Sequence, residues 1–158
     1  MFLLVSFILF TCGFIESERK ILICESSETE IFYSFCDSVD HKIMFNIVPC
    51  TFTQRSWEGS LFWIPRSDII FLKGVLHLWY AGAKILEWKQ VICSGFDDDY
   101  SFCGTLKGES INTTFGISGM QTKFPQGLYT VVIRGFSDHF EKNLLLCANI
   151  SLLMKTDG

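Results

Sequence analysis

The stretch Gly74-Val75-Leu76-His77-Leu78-Trp79-Tyr80-Ala81-Gly82-Ala83 sets the fold class. Leu76, Leu78 and Tyr80 fall on one side of an extended chain and Val75, His77 and Trp79 on the other, the two-residue period of a strand. The small residues Ala81, Gly82 and Ala83 read as a turn, and residues 85–93 can return as the hairpin partner. The same pattern recurs on both sides. Ile31-Phe-Tyr-Ser-Phe35 and Ile43-Met-Phe-Asn-Ile-Val48 are runs of strand formers, with Ile43, Phe45 and Ile47 sharing a face. Ser60-Leu-Phe-Trp-Ile64 stops at Pro65. Residues 109–118 alternate Ile111, Thr113, Phe115 and Ile117 against Asn112, Thr114 and Gly116. The turn Phe124-Pro-Gln-Gly127 leads into a strand over 128–134, and residues 143–154 form the last. Residues 66–72 read equally as loop or helical turn. Strands at this spacing, with scarcely a helical period, predict an all-β, immunoglobulin-like two-sheet antiparallel β-sandwich.

A chain of 158 residues fits one domain. Residues 1–15 are almost wholly apolar and end at Glu16-Ser17-Glu18-Arg19-Lys20, so residues 1–17 read as a signal peptide and 18–158 as the domain. The apolar run is shorter than the roughly 20 residues of a membrane span, and later apolar stretches are broken by Lys, Gly or His. The expected product is secreted and extracellular, without a membrane span.

Cys12 falls in the signal, which leaves Cys24, Cys36, Cys50, Cys93, Cys103 and Cys147. An even number in an exported chain predicts three disulfides, and the residues alone leave all fifteen pairings open. Zinc is disfavoured, since there is no CxxC and His41, His77 and His139 stand singly. Formal charge is −4, and −3 once Glu16 leaves with the signal (13 basic minus 16 acidic residues), which argues against a nucleic-acid footprint. There is no nucleophile elbow, metal-binding helix or phosphate loop, so neither an enzyme nor a cofactor is expected. The unusual features are 16 Phe and 4 Trp, more bulky apolar side chain than a small core requires. Two sequons, Asn112-Thr-Thr114 and Asn149-Ile-Ser151, suit a secreted glycoprotein. Asn112 opposes Ile111 and should face outward, whereas Asn149 shares its facing with Cys147.

The most distinctive passage is Cys93-Ser-Gly-Phe-Asp-Asp-Asp-Tyr-Ser-Phe-Cys103-Gly-Thr-Leu-Lys-Gly-Glu-Ser-Ile-Asn-Thr-Thr114. Together with the cysteine order and the Ile64-Pro65-Arg66 step, it resembles the lipid-recognition family that contains the lipopolysaccharide co-receptor of Toll-like receptor four. The resemblance spans the mature chain. The sister co-receptor shares Ser-Phe-Cys-Gly and Lys-Gly-Glu but not the triple aspartate. The resemblance implies the pairing Cys24 with Cys50, Cys36 with Cys147, and Cys93 with Cys103, and an interior that takes up acyl chains of lipopolysaccharide (lipid A). Inward residues Ile31, Ile43, Phe45, Ile47, Leu76, Leu78, Phe102, Ile111, Phe115, Ile117, Val131 and Ile133 would line that cavity. Pattern alone favours an ordinary packed core for the same residues.

Lys89 and Lys123 are candidate phosphate contacts at the cavity rim. Where mammalian relatives carry further basic rim residues this chain has Trp88, Ser94 and Met120, which implies a different phosphorylation or acylation preference. Asp97, Asp98 and Asp99 lack the glycine and ligand spacing of a calcium loop. By resemblance they dock with Arg66 and Lys107 on the Toll-like receptor four ectodomain by charge complementarity. Phe124 would be a ligand-sensitive switch that joins Ile85 and Ala83 in a surface meeting a second receptor copy; an exposed apolar loop tip fits an interface. A lipid carrier without a receptor, the sister co-receptor and a disulfide-bonded adhesion module remain as alternatives.

Overall fold

The computed structural model describes residues 19–51, 54–118 and 124–155. The expected signal segment, Lys123 and Met120 lie outside them. Among the described residues nine strands follow one another: β1 (Ile21–Glu25), β2 (Thr29–Phe35), β3 (Lys42–Val48), β4 (Ser56–Ile64), β5 (Leu72–Tyr80), β6 (Ala83–Cys93), β7 (Ile111–Ser118), β8 (Gly127–Phe136) and β9 (Leu144–Met154). They form a six-stranded sheet in the order β1-β2-β9-β8-β5-β6 and a three-stranded sheet in the order β3-β4-β7, with every pairing antiparallel. The expected two-sheet sandwich is therefore the fold. β1 was not anticipated, because its five residues show no alternation of apolar and polar residues. Residues 66–71 form no helix. They make a crossover held by an antiparallel bridge between Ile69 and Thr105.

The β5–β6 hairpin shows how local chemistry sets register. Tyr80 pairs with Ala83 across Ala81 and Gly82, both at positive φ (50° and 80°). That is the two-residue turn whose twist matches the strands. Gly82 takes this conformation without strain, while Ala81 carries a Cβ into it.

Pairing also fixes the faces, because residues directly opposite in a ladder point the same way. In the large sheet the row Tyr33–Ile150–Val131–Leu78–Leu86 faces the small sheet, as does the neighbouring row Ile133–Leu76–Trp88. In the small sheet Phe45–Leu61–Thr113, Ile47–Gly59–Phe115 and Ile43–Trp63–Ile111 face back. The tightly packed part is one end of this interior, where Tyr33, Ile43, Trp63, Ile69, Leu72, Cys93 and Ile111 are buried together.

The sheets meet along one side. Of all strand pairs, β1 and β3 alone approach closely across the sandwich, and there Cys24–Cys50 ties the two sheets. Cys36–Cys147 fixes the β2–β3 crossover to β9, and Cys93–Cys103 closes the loop after β6, so the pairing implied by the resemblance is the one present. The Cys36–Cys147 bridge spans 111 residues, and its loop-closure entropy is worth about 4–5 kcal/mol. The opposite side, between edge strands β6 and β7, has no such closure among the described residues.

Replacing Ala81 by Asn, which accepts the left-handed region more readily, should raise stability by about 0.5–1 kcal/mol. Chemical denaturation of the two proteins checks this; equal or lower stability would mean that the turn is not the strained element.

Candidate functional site: an apolar interior open between β6 and β7

The inward face is largely apolar, with Thr113 on β7 and Gln90 on β6 as polar exceptions, yet much of it is not covered. Leu76, Leu78, Val131, Ile133 and Ile47 are only half-buried. Phe115 is 40% exposed, and on β6 the inward Leu86 and Trp88 are 50% and 42% exposed. Val75, which points to the other side of its sheet, is 3% exposed. Inward apolar residues wetter than an outward neighbour mark an interior that the protein's own side chains leave unfilled.

Gly59 shapes that interior. A Cβ there would lie 2.4 Å from the Phe115 ring, so glycine lets the ring lie flat across β4 instead of standing into the space between the sheets. On the far wall Tyr80 stacks on Tyr129 at 4.5 Å, and Phe124 meets Tyr129 edge-on at 5.5 Å. Tyr129 is buried and donates its hydroxyl to the Pro125 carbonyl at 2.9 Å. Phe124 itself is half-buried, on the stretch that leads from the β7 side into β8.

The expected lining divides in two. Ile31, Ile43 and Ile111 are 1–5% exposed and belong to sealed core. Phe45 and Phe102 pack against that core, Phe45 edge-on to Tyr33 at 5.4 Å and Phe102 stacked under Tyr100 at 5.3 Å. Ile43, Phe45, Phe102 and Ile111 form the closed end of the slot, while Ile31 is buried at the other end, in the row Ile31–Leu152–Tyr129–Tyr80. Ile117 pairs with Trp57, and its side chain is outside the described residues. Leu86 was missed, and Trp88 was expected only as a rim position and not as lining, because β6 carries polar residues on both sides of them and its strand is interrupted by a bulge at Ile85.

Lys89 does not stand at the rim. It pairs with Val75 and so points away from the interior. Its ammonium lies 3.1 Å from Glu141 and 3.7 Å from Glu87. Hydrogen bonding to Glu141 holds Lys89 above the ordinary ammonium value, and bonds from Lys89 and then Lys73 hold Glu141 below its ordinary 4.5. A folded-state value lower than the unfolded one means that ionised Glu141 stabilises the fold above the ordinary carboxylate range and that this contribution disappears as pH falls through the lowered value.

The residues expected at the receptor surface gather at the closed end. Arg66 and Lys107 share a cleft of about 450 Å³ with Asp40, Lys42 and Ile64. Lys42 was not anticipated there, because only the crossovers bring the start of β3 beside residue 107. Asp97 and Asp99 are exposed. Asp98 differs: its carboxylate accepts from Ser94 N at 2.7 Å, Ser94 Oγ at 2.8 Å and Gly95 N at 3.0 Å. Those bonds, led by the Ser94 amide, hold its carboxyl below the usual range. Asp98 builds the loop that presents its neighbours. Asp98 also lies beside the sulfurs of Cys93 and Cys103, but both are spent in a disulfide and cannot ligate a metal. Phe96 (84% exposed), Ile70 and Tyr100 flank the same loop. Ile85 is the extra residue of the β6 bulge and is exposed, as is Ala83. Asn112 faces outward and is exposed; Asn149 lies half-buried between Ser34 and Val132, on the outer side of the large sheet.

Solved structures share this architecture. Chicken MD-1, in a complex with lipid IVa, superposes with a TM-score of 0.71 at 23% identity, covering 87% of this chain and 98% of that one. A Niemann-Pick type C2 protein from the Japanese carpenter ant gives 0.53 at 12% identity, covering 75% and 96%. These likenesses define the class as a two-sheet β-sandwich. No family model matches the chain. In sequence it is 38% identical to human lymphocyte antigen 96, with 92% of this chain and 91% of that protein covered, and 36% identical to the bovine protein over the same shares. Human lymphocyte antigen 86 is 28% identical, with 84% and 80% covered. The chain belongs to the lymphocyte antigen 96 family.

Replacing Glu141 by Gln should lower the melting temperature at neutral pH, with the deficit vanishing well below pH 4.5. Thermal melts of both proteins across that range decide it; a deficit that persists in acid would assign the effect to packing.

Proposed function

We propose that this protein is a secreted co-receptor that takes the acyl chains of bacterial lipid A between its sheets and presents the lipid to the Toll-like receptor four ectodomain in innate immune signalling. The observation that carries the reading is the half-exposed apolar face lined by Leu76, Leu78, Phe115, Val131 and Ile133 and open between β6 and β7, in a chain of this family. Each methylene removed from water there contributes about 0.8 kcal/mol. A few acyl chains therefore bind strongly without a decisive polar contact.

The charged groups at the closed end supply the receptor contact. Arg66, Lys107 and Lys42 meet an acidic patch, and Asp97 and Asp99, held out by Asp98, meet a basic one. Such complementary charges set orientation and encounter rate more than affinity. Lys123 supplies a cation for the lipid phosphates, and Asn112, outward and exposed, is the better glycosylation acceptor. The protein acts outside the cell, and at its surface when receptor-bound.

Defined lipid A species should bind the secreted protein without the receptor ectodomain, and the ectodomain should join the loaded complex. Binding of no acylated species would refute the reading; lipid binding without ectodomain binding would make the protein a carrier. Phe124 touches Tyr129 at the end of the slot. Phe124→Ala should leave lipid affinity within about threefold, since one peripheral contact is lost, while cutting signalling in a receptor reporter cell. Equal loss of both would place Phe124 in the core.

A further inference from the structure

The two lips of the opening differ in chemistry. Between its two bulges, over residues 86–91, the β6 side chains alternate between its faces. Lys84 and Lys89 sit opposite Trp79 and Val75, on the side away from the interior. Both are neutralised there: Lys84 donates to Glu87, and Lys89 pairs with Glu87 and Glu141. The residues that β6 turns toward the opening near its middle are Leu86 and Trp88, opposite Leu78 and Leu76. The indole of Trp88 is braced from behind, since its Cζ3 lies 3.3 Å from where a Cβ on Gly74 would be. A side chain at Gly74 would crowd Ile92 first, at 2.9 Å, and then the Trp88 ring. The opposing edge strand β7 carries no basic residue.

We propose that Trp88 is a specificity-determining residue that receives an uncharged sugar ring of a glycolipid headgroup, and that the β6 lip makes no phosphate contact. The face of a pyranose formed by its C–H bonds is flat and apolar, and its hydroxyls lie at the ring edge. A half-exposed indole at the mouth of an apolar slot covers that face and leaves the hydroxyls wet. A phosphate at the same place would lose water and find only Leu86 and an aromatic face in return, which is unfavourable. The lipid class that fits is one with a saccharide headgroup whose phosphates, where present, lie away from β6. This rests on the acyl-binding reading above and adds to it which part of the headgroup meets which lip.

Binding to the intact secreted protein is measured for diphosphoryl lipid A, for its monophosphoryl counterpart with identical acyl chains, and for lauric acid, which has no sugar. Trp88→Ala should weaken both lipid A species by the same factor, about 3- to 10-fold, the size of one aromatic contact, and leave lauric acid unchanged. Trp88→Phe should retain most of the affinity, and Trp88→Lys should favour the diphosphoryl species alone. A Trp88→Ala effect that scales with phosphate number, an equal loss for lauric acid, or no effect on either lipid A would overturn the proposal. If the unsubstituted protein binds none of the three probes, the acyl-binding reading falls and this inference with it; binding of all three with no effect at Trp88 removes this inference alone.

Discussion

Two antiparallel sheets normally stay together because the side chains between them interlock, and a sandwich whose interior is left partly empty needs another fastening. Here that fastening is covalent and confined to one side and one end. Cys24–Cys50 joins the sheets where β1 and β3 approach, Cys36–Cys147 anchors the first crossover to β9, and Cys93–Cys103 draws in the loop between β6 and β7. Backbone bonds between the crossovers reinforce that end, with Ile69 and Gly104 donating to Thr105 and Ile69 and Gly108 donating to Pro65. The packed cluster around Trp63, Leu72 and Ile111 fills the same end. The remainder of the interior can then stay open, because disulfides stabilise by restricting the unfolded chain and do not need native contacts nearby.

That division of labour separates the two surfaces that the proposed co-receptor would use. The open side exposes apolar area whose cost an acyl ligand would relieve by covering it, through area rather than a single contact. The fastened end is rigid enough to hold charged groups in fixed positions. Asp98 spends its carboxylate on the loop so that Asp97 and Asp99 stand out from it, and the crossovers bring Lys42, Arg66 and Lys107 to one cleft. On β6, the period-2 alternation divides chemistry between the two faces of one strand. Its lysines go to an ion-pair network with Glu87 and Glu141, and its Leu and Trp go to the mouth.

The strand pattern was legible because alternation is a local property. Residues 43–48 and 74–80 show which side chains share a face before any partner strand is known, and the structure keeps those faces. β1 was not legible because Ile21-Leu-Ile-Cys-Glu25 shows no alternation of apolar and polar residues. The start of β4 was lost for a different reason. Gly59 reads as a breaker in sequence, and only the Phe115 ring lying across it shows why a glycine belongs in that strand. Lys89 reads as a rim cation because it stands near Cys93 in sequence, but two register shifts in the β5–β6 ladder decide which side of the sheet it occupies.

The all-β class, the cysteine set and the inward identity of most apolar positions were readable from the sequence, since these follow from period and composition. Three things were left to the tertiary structure: which inward residues are sealed and which remain uncovered, where the sandwich opens, and which charges are committed to one another. Each depends on how far apart the two sheets stand and on which loops cross between them. Ile43 and Leu76 look alike in sequence, both inward members of alternating strands. One is buried beside Trp63 in the packed cluster and the other stays half-buried beside Trp88, a difference that only the packing of one sheet on the other creates.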